Sequence, residues 1–89
     1  MQRELNAERA ASLGRAGAKL QAAIDECTQA REAAVASEGE PGHDAAVAAF
    51  RQSFQRYEQA RDWFCLHREA LGLLDHRRVD EIYPPPRWL

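Results

Sequence analysis

The residues best suited to bind a metal ion are Cys65 and His67, since thiolate and imidazole are common zinc ligands. Residues two apart on a helix point about 200° apart, so this pair cannot easily share one ion. The chain has no Cys-x-x-Cys or His-x-x-x-His spacing, and Cys27 and His43 lie elsewhere. We therefore expect a buried cysteine beside a histidine at the helix rim, with no metal site and no cofactor.

Nucleophilic, acid–base and phosphate chemistry each require an arrangement that we cannot place in this sequence. No Ser-His-Asp set or nucleophile elbow can be assigned. Gly14 and Gly17 have a Gly-x-x-Gly spacing, but no strand precedes them, so the context of a phosphate loop is lacking. The nearby acidic residues have the spacing of a charged helix face: Glu58, Asp62 and Glu69. The sequence predicts a protein that is not an enzyme.

Four arginines in the second half of the chain raise the question of nucleic-acid binding: Arg51, Arg56, Arg61 and Arg68. Their spacings spread them around a helix, acidic residues intervene, and the net charge is −2. Nucleic-acid surfaces usually carry a basic excess, so we expect no nucleic-acid partner. Arg61 and Arg68 occupy positions where an apolar residue is expected. We expect them to snorkel, to pair with acids of helix 1 or of a second subunit, or to fix the helix register.

The segment Tyr83-Pro84-Pro85-Pro86-Arg87-Trp88-Leu89 is the best candidate for binding a partner. Successive prolines favour an extended polyproline helix, which loses little entropy on binding. A full Pro-x-x-Pro spacing is lacking, so no particular reader domain is implied. Two interpretations stay open. In the first, Tyr83 and the tail, defined as residues 84–89, dock together on the protein's own second helix. In the second, they contact a partner or a second copy.

Helix is predicted for most of the chain, which is rich in strong helix formers such as alanine, arginine and glutamate. Between residues 47 and 71, spacings of three, four and seven place large side chains on one helical stripe. We predict helix 2 over about 44–71, with Asp44 as its N-cap and Gly72 just beyond its end. The stripe consists of Val47, Phe50, Phe54, Tyr57, Phe64 and Leu71.

Helix 1 is predicted over about 3–37 and has an inner stripe of small and medium residues. The medium residues recur every seven positions, and alanine follows three positions after the first three of them, as in a heptad that lets another helix approach closely. Gly14 and Gly17 either mark a bend in helix 1 or make room for a bulky neighbour, and we expect the second. The stripe consists of Leu13, Ala16, Leu20, Ala23, Cys27, Ala30 and Ala34.

Turn-forming residues between 38 and 43 predict a short connection, which makes the two helices antiparallel neighbours. A turn centred near residue 40 or 41 pairs residues whose numbers add up to about 81. Gly17 then faces Phe64, and Cys27 faces Phe54. Large residues of one helix thus meet small residues of the other.

The end of helix 2, Trp63-Phe64-Cys65-Leu66, is apolar on all sides, so one facing helix cannot cover it. The sequence from Leu74 to Val79 has the pattern of a hydrophobic staple, with Asp75 as N-cap. We predict a short third helix over about 76–82 that folds back over Trp63 and Leu66. Its apolar side consists of Val79, Ile82 and Tyr83.

The 89 residues therefore predict one all-α domain over 1–83, formed by a long antiparallel hairpin and a short third helix, followed by the extended tail. Two helices that bury one stripe each form a thin core, so we expect a homodimer such as a four-helix bundle. No apolar run is long enough to cross a bilayer, and Met1-Gln2-Arg3-Glu4 has no signal region, which predicts a cytoplasmic protein without membrane contact. Two cysteines are too few for a disulfide framework.

These features predict a non-catalytic helical interaction protein, meaning an adaptor, a small chaperone or an assembly subunit. The alternative is an accessory or regulatory subunit that binds a small ligand or a metal between the helices. Bound metal, or a melting temperature that depends on ligand, would favour the alternative. The predicted partner-binding residues are Trp63, Leu66, Val79, Ile82, Tyr83, Pro84, Pro85, Pro86, Arg87 and Trp88.

Overall fold

The protein is a helical hairpin in the computed structural model, which describes residues 2–89 and the side chains of residues 4 and 7–89. Its elements are α1 (Gln2–Ala36), α2 (His43–Ala70) and α3 (Val79–Ile82), and no strand occurs in this described part. The predicted all-α hairpin is confirmed, and the ends of both long helices lie within one residue of the predicted ones. The molecule measures 59 × 21 × 15 Å, so its core is only one layer of side chains deep.

The turn between α1 and α2 differs from the prediction in how α2 begins. Gly42 occupies the N-cap position with φ of 93°, a left-handed conformation that glycine adopts without steric cost, and no side chain caps the helix. Asp44 lies inside the first turn, so its predicted role as N-cap is wrong. Its carboxylate there still interacts favourably with the positive end of the helix dipole.

The C-terminal end of α2 has the glycine geometry that the sequence predicts. Gly72 has φ of 81°. Its N–H donates to the Glu69 carbonyl at 2.9 Å, and the Leu73 N–H donates to the Arg68 carbonyl at 3.0 Å. This pair of bonds is a Schellman motif, which satisfies carbonyls that the helix end leaves without partners.

The predicted register of the hairpin is confirmed by contacts along its length. A Cβ atom built on Gly17 would lie 3.4 Å from Cε2 of Phe64, so these residues face each other as predicted. Nearer the turn, Arg56 of α2 pairs with Glu26 of α1, and the numbers of these residues add up to 82.

Gly17 of α1 meets the large ring of Phe64 of α2, as the predicted pairing of small with large residues requires, but the larger α1 residue Leu20 is buried in the same core. The predicted α1 stripe is buried or half-buried along its whole length. Ile24, which the heptad omits, is also buried, with 7% exposure. The tightly packed members of the core are Ala16, Leu20, Ile24, Tyr57, Phe64, Cys65 and Val79.

The third helix is shorter than predicted and starts at Val79, three residues after the expected start. Asp75 does not cap it: its Oδ1 accepts from the Arg77 N–H at 3.0 Å, forming a turn ahead of the helix. The Arg77 guanidinium on the same carboxylate lowers the pKa of Asp75. The helix is attached to α2 by Arg61, which donates from Nε to Asp80 Oδ1 at 2.9 Å and from Nη2 to Oδ2 at 3.3 Å.

The third helix folds back on the hairpin, but on a different side from the one predicted. Val79 is fully buried in the core cluster beside Phe64 and Cys65. Trp63 and Leu66 remain 53% and 55% exposed, so the prediction that this helix covers them is wrong. The reason is geometric: neighbouring residues on a helix point about 100° apart, and the third helix packs on the inner side only.

Candidate interaction surfaces

The tail lies along the hairpin in contact with both long helices. At its start, the Tyr83 ring packs against Phe64 with the ring centroids 5.2 Å apart. At its other end, the Trp88 ring meets Phe54 edge-on at 4.7 Å and Phe50 at 5.0 Å. The tail therefore runs antiparallel to α2. A polyproline helix rises about 3.1 Å per residue, so five residues cover the roughly 16 Å between these two anchors.

The Trp88 end is also held by α1. Arg31 Nε donates to the Trp88 main-chain carbonyl at 3.0 Å, and Pro86 is buried. The side chains of Ile24 and Thr28 line the same groove from α1. The residues of the two long helices that contact the tail form a surface that we call the tail groove. It consists of Ile24, Thr28, Arg31, Phe50 and Phe54. In this structure of a single copy, the tail is docked on its own chain, and its contact with a partner or a second copy stays a prediction.

The contribution of α1 to the tail groove was missed by the sequence reasoning. A usable signal was present, because Gly17, Ile24 and Arg31 recur every seven residues, one position after Ala16, Ala23 and Ala30. Gly17 makes room for the Tyr83 ring: a Cβ atom there would lie 2.5 Å from Tyr83 Oη. The heptad neighbours of the inner stripe thus form a second stripe, and this second stripe faces the tail.

A second candidate surface lies on the side of α2 that faces away from α1. Trp63 and Leu66 point about 120° and 180° away from the mean direction of Phe50, Tyr57 and Phe64, given about 100° per residue. Ala70, one turn after Leu66, is exposed on the same face. The His67 ring packs against the Trp63 ring at a centroid distance of 4.9 Å. We call Trp63, Leu66 and Ala70 the outer ridge.

The predicted partner-binding residues divide into accessible and inaccessible groups. Val79 is fully buried and Pro86 is buried, so neither can contact a partner in this fold. Tyr83 is half-buried against Phe64. The remaining predicted residues are exposed: Trp63, Leu66, Ile82, Pro84, Pro85, Arg87 and Trp88.

Three of the four arginines in the predicted strip are engaged in contacts within the chain. Arg56 pairs with Glu26 of α1, and Arg61 pairs with Asp80 of α3. Arg68 donates from Nη2 to the Asp75 carbonyl at 2.8 Å. Arg61 thus pairs with an acid of the third helix, a partner that was not among the alternatives predicted for it.

The groups that could perform chemistry are held in structural contacts. Burial raises the pKa of both Cys27 and Cys65, which keeps these free thiols protonated. Ser37 and His43 approach to 3.0 Å, but the Ser37 hydroxyl donates to the Ala34 carbonyl, so it is left to accept from His43 Nδ1. A serine in this arrangement is not activated as a nucleophile.

The spacing of Glu40 and His43 is the next candidate for a metal site. Glu40 and His43 have the Glu-x-x-His spacing used in di-metal bundles, a pattern that sequence reasoning passed over, but Glu40 lies in the turn and not on a helix. Within residues 2–89, no group of three or more metal-ligating side chains comes together. In the same residues, no helix has the length and apolar character needed to cross a bilayer.

Comparison with protein-family models, with curated proteins and with solved structures found no match to this chain. The tail groove and the outer ridge are the two surfaces of the molecule from which a function can be inferred.

Proposed function

We propose that this chain is a non-catalytic helical interaction protein, an adaptor, small chaperone or assembly subunit, that acts in the cytoplasm as a homodimer. The two copies meet through their outer ridges, with coiled-coil-type packing of α2 against α2. Because each outer ridge faces away from α1, the four helices lie side by side in a row and do not surround the common core of a four-helix bundle. The observation that carries the proposal is the half-exposed pair Trp63 and Leu66 on the side of α2 opposite the core.

The composition of the outer ridge supports a protein partner. Tryptophan is the residue type most enriched among the side chains that dominate binding energy, and adjacent exposed apolar groups are typical of interaction sites. Ala70 is small and allows close approach of a facing helix. The ridge has charged residues beside it on α2, namely Asp62 and Glu69, and a charged rim around an apolar centre is typical of interfaces.

The dimensions of the hairpin support a second copy as that partner. The shortest dimension of the molecule is 15 Å, so the core is a single layer between two helices. A second hairpin packed on the outer ridge would give α2 apolar neighbours on both sides. A two-fold axis near Trp63 and Leu66 would bring each ridge against its own copy, as in most homodimers.

Sedimentation velocity on charge-insertion variants tests the proposal. Leu66→Glu places a charge at the centre of the ridge, and we expect it to weaken dimerisation at least about 30-fold, equivalent to roughly 2 kcal/mol. The matched control is Val35→Glu, at an apolar α1 residue that is 44% exposed. Equal dimerisation of both variants would contradict the proposed interface. A wild-type chain that stays monomeric would contradict the homodimer.

A further inference from the structure

Three successive prolines fix the backbone in the first half of the tail. A proline ring holds φ at about −65°, and a residue that precedes a proline is restricted to extended conformations. Pro84 and Pro85 meet both conditions, and every peptide bond that the structure describes is trans. The segment is therefore a polyproline helix, with three residues per turn and a rise of about 3.1 Å per residue.

Burial along this segment repeats with the same period of three. Tyr83 is half-buried and Pro86, three residues later, is buried, so the edge that these two residues form faces the hairpin. Pro84, Pro85 and Arg87 lie on the two other edges, and all three are exposed. We call Pro84, Pro85 and Arg87 the proline face. Docking of the tail on its own chain thus buries one edge of the polyproline helix and leaves the proline face accessible.

The segment that carries the proline face is anchored on the hairpin at both ends. At one end, the Tyr83 ring packs against Phe64 with the ring centroids 5.2 Å apart. At the other end, Arg31 Nε donates to the Trp88 carbonyl at 3.0 Å. The segment is thus held extended in the isolated chain, so a partner that binds it loses little conformational entropy. A cleft of about 390 Å³ between the segment and α1 leaves room beside the prolines for a partner's side chains.

The chemistry of the proline face selects the kind of partner. Prolines of a polyproline helix dock in grooves lined by aromatic side chains, as in the protein domains that read such segments. Arg87 carries a permanent positive charge and, among the residues that the structure describes, makes no ion pair. Pro84 and Arg87 lie one turn apart on the same edge, a distance of about 9 Å along the helix axis. A matching partner therefore has an aromatic slot with a carboxylate about 9 Å from it.

We propose that the proline face is the docking site for a polyproline-reading protein domain, which holds Pro84 and Pro85 in one aromatic slot and pairs a carboxylate with Arg87. One slot suffices, so the lack of a Pro-x-x-Pro spacing is no obstacle. The tail stays docked on the hairpin in this complex, because the domain reads the exposed edges and the hairpin holds the buried one. The inference goes beyond the proposed homodimer and uses no residue of the outer ridge, so either can be overturned without the other.

Isothermal titration calorimetry of the full-length chain against purified WW, SH3 and EVH1 domains tests the proposal. Each domain is chosen to carry an acidic side chain about 9 Å from an aromatic slot, which matches the spacing of the proline face. We expect at least one of these domains to bind with a Kd below about 100 μM. The absence of binding by all of them up to about 1 mM would overturn the proposal.

Substitutions on the proline face show whether the bound domain reads it. Pro85→Ala should weaken binding at least about 10-fold and Arg87→Gln at least about 5-fold, because they remove the slot contact and the ion pair. The matched control Arg9→Gln removes the same charge from an exposed residue of α1 and should leave binding unchanged. Changing the domain's carboxylate to an amide should abolish the effect of Arg87→Gln. Circular dichroism shows that each variant retains its helices. Equal binding of wild type, Pro85→Ala and Arg87→Gln would overturn the proposal.

NOE spectroscopy on the complex tests whether the domain reads the docked tail. The Trp88 and Phe54 ring centroids are 4.7 Å apart in the docked tail, close enough for strong cross-peaks between their protons. We expect these cross-peaks to persist when the domain is bound. Their loss on binding would overturn the inference, since the domain would then bind a tail that has left the hairpin.

Discussion

Two sides of the same helical turn in α2 have opposite environments. Phe64 and Cys65 are 5% and 9% exposed, whereas their neighbours Trp63 and Leu66 are more than half exposed. All four residues are apolar, so hydrophobicity alone does not decide their burial. The direction of each side chain relative to α1 and α3 decides it.

The comparison also shows why the third helix does not complete the fold. It contributes Val79 to the side that α1 already covers, and Tyr83, just after the helix, packs on the same side against Phe64. The outer side gains nothing, and Ile82 of the same helix is itself 60% exposed. The chain thus has one well-packed inner side and an outer side that exposes the outer ridge, and a second copy is our proposed cover for that ridge.

The largest expected difference in stability is between two alanine substitutions, one on the inner side of α2 and one on its outer side. Phe64→Ala should destabilise the fold by about 3–5 kcal/mol, because it removes a buried ring and leaves a cavity beside Gly17. Trp63→Ala should change the free energy of unfolding by less than about 1 kcal/mol, as at other surface positions. Urea denaturation at low protein concentration measures both. Similar losses for the two variants would contradict the assigned burial.

The two glycines of α1 provide a second comparison. Gly17→Leu should destabilise by about 1–3 kcal/mol, because the new side chain must displace the Tyr83 and Phe64 rings. Gly14→Leu introduces the same side chain where nothing lies within 4 Å, and it should stabilise by up to about 1 kcal/mol through helix propensity. Thermal melting compares them. An unchanged melting temperature for Gly17→Leu would show that the helix register is wrong.

The features that sequence reasoning predicted correctly depend on local pattern. The contact between Gly17 and Phe64 was predicted by pairing residues at equal distances along the chain from the short turn. The role of Gly72 at the end of α2 was predicted because glycine adopts the left-handed backbone conformation there most readily.

The features that it missed depend on contacts and backbone conformations that the linear pattern does not indicate. Asp44 is a good N-cap residue, but the helix begins at His43, and Gly42, with a left-handed backbone, occupies the N-cap position. On the side where α3 packs, Val79 enters the core and Asp80 pairs with Arg61, and no periodic pattern indicates either contact. The α1 wall of the tail groove was missed because Arg31 resembles an ordinary surface residue in the sequence.

A smaller effect is expected at the tail. Trp88→Ala removes two edge-on aromatic contacts and should cost about 0.5–1.5 kcal/mol, since the ring is half exposed. The control Leu89→Ala should be nearly neutral. Chemical denaturation distinguishes them. Unchanged stability of Trp88→Ala would contradict docking of the tail on the hairpin in the monomer.

The smallest effect concerns the buried thiols. Burial raises the pKa of Cys27 above its ordinary value of 9.0, so the folded state holds this proton more tightly than the unfolded chain does. The resulting stability is fully present below pH 9 and is lost as the pH rises through the folded-state pKa. The unfolding free energy should therefore fall less steeply above pH 9 in Cys27→Ala than in wild type, as measured by chemical denaturation over a pH series. Cys65 and Tyr57, whose pKa values burial also raises, should leave a residual slope.

The measurement that most directly tests the central claim is the solution mass of the unmodified chain by light scattering over a concentration series. The chain mass is 10.0 kDa. An outer ridge that joins two copies predicts a mass of twice this value at high concentration, falling towards the single-chain mass on dilution. A constant 10.0 kDa at every concentration would contradict the account, because the outer ridge would then remain exposed in solution.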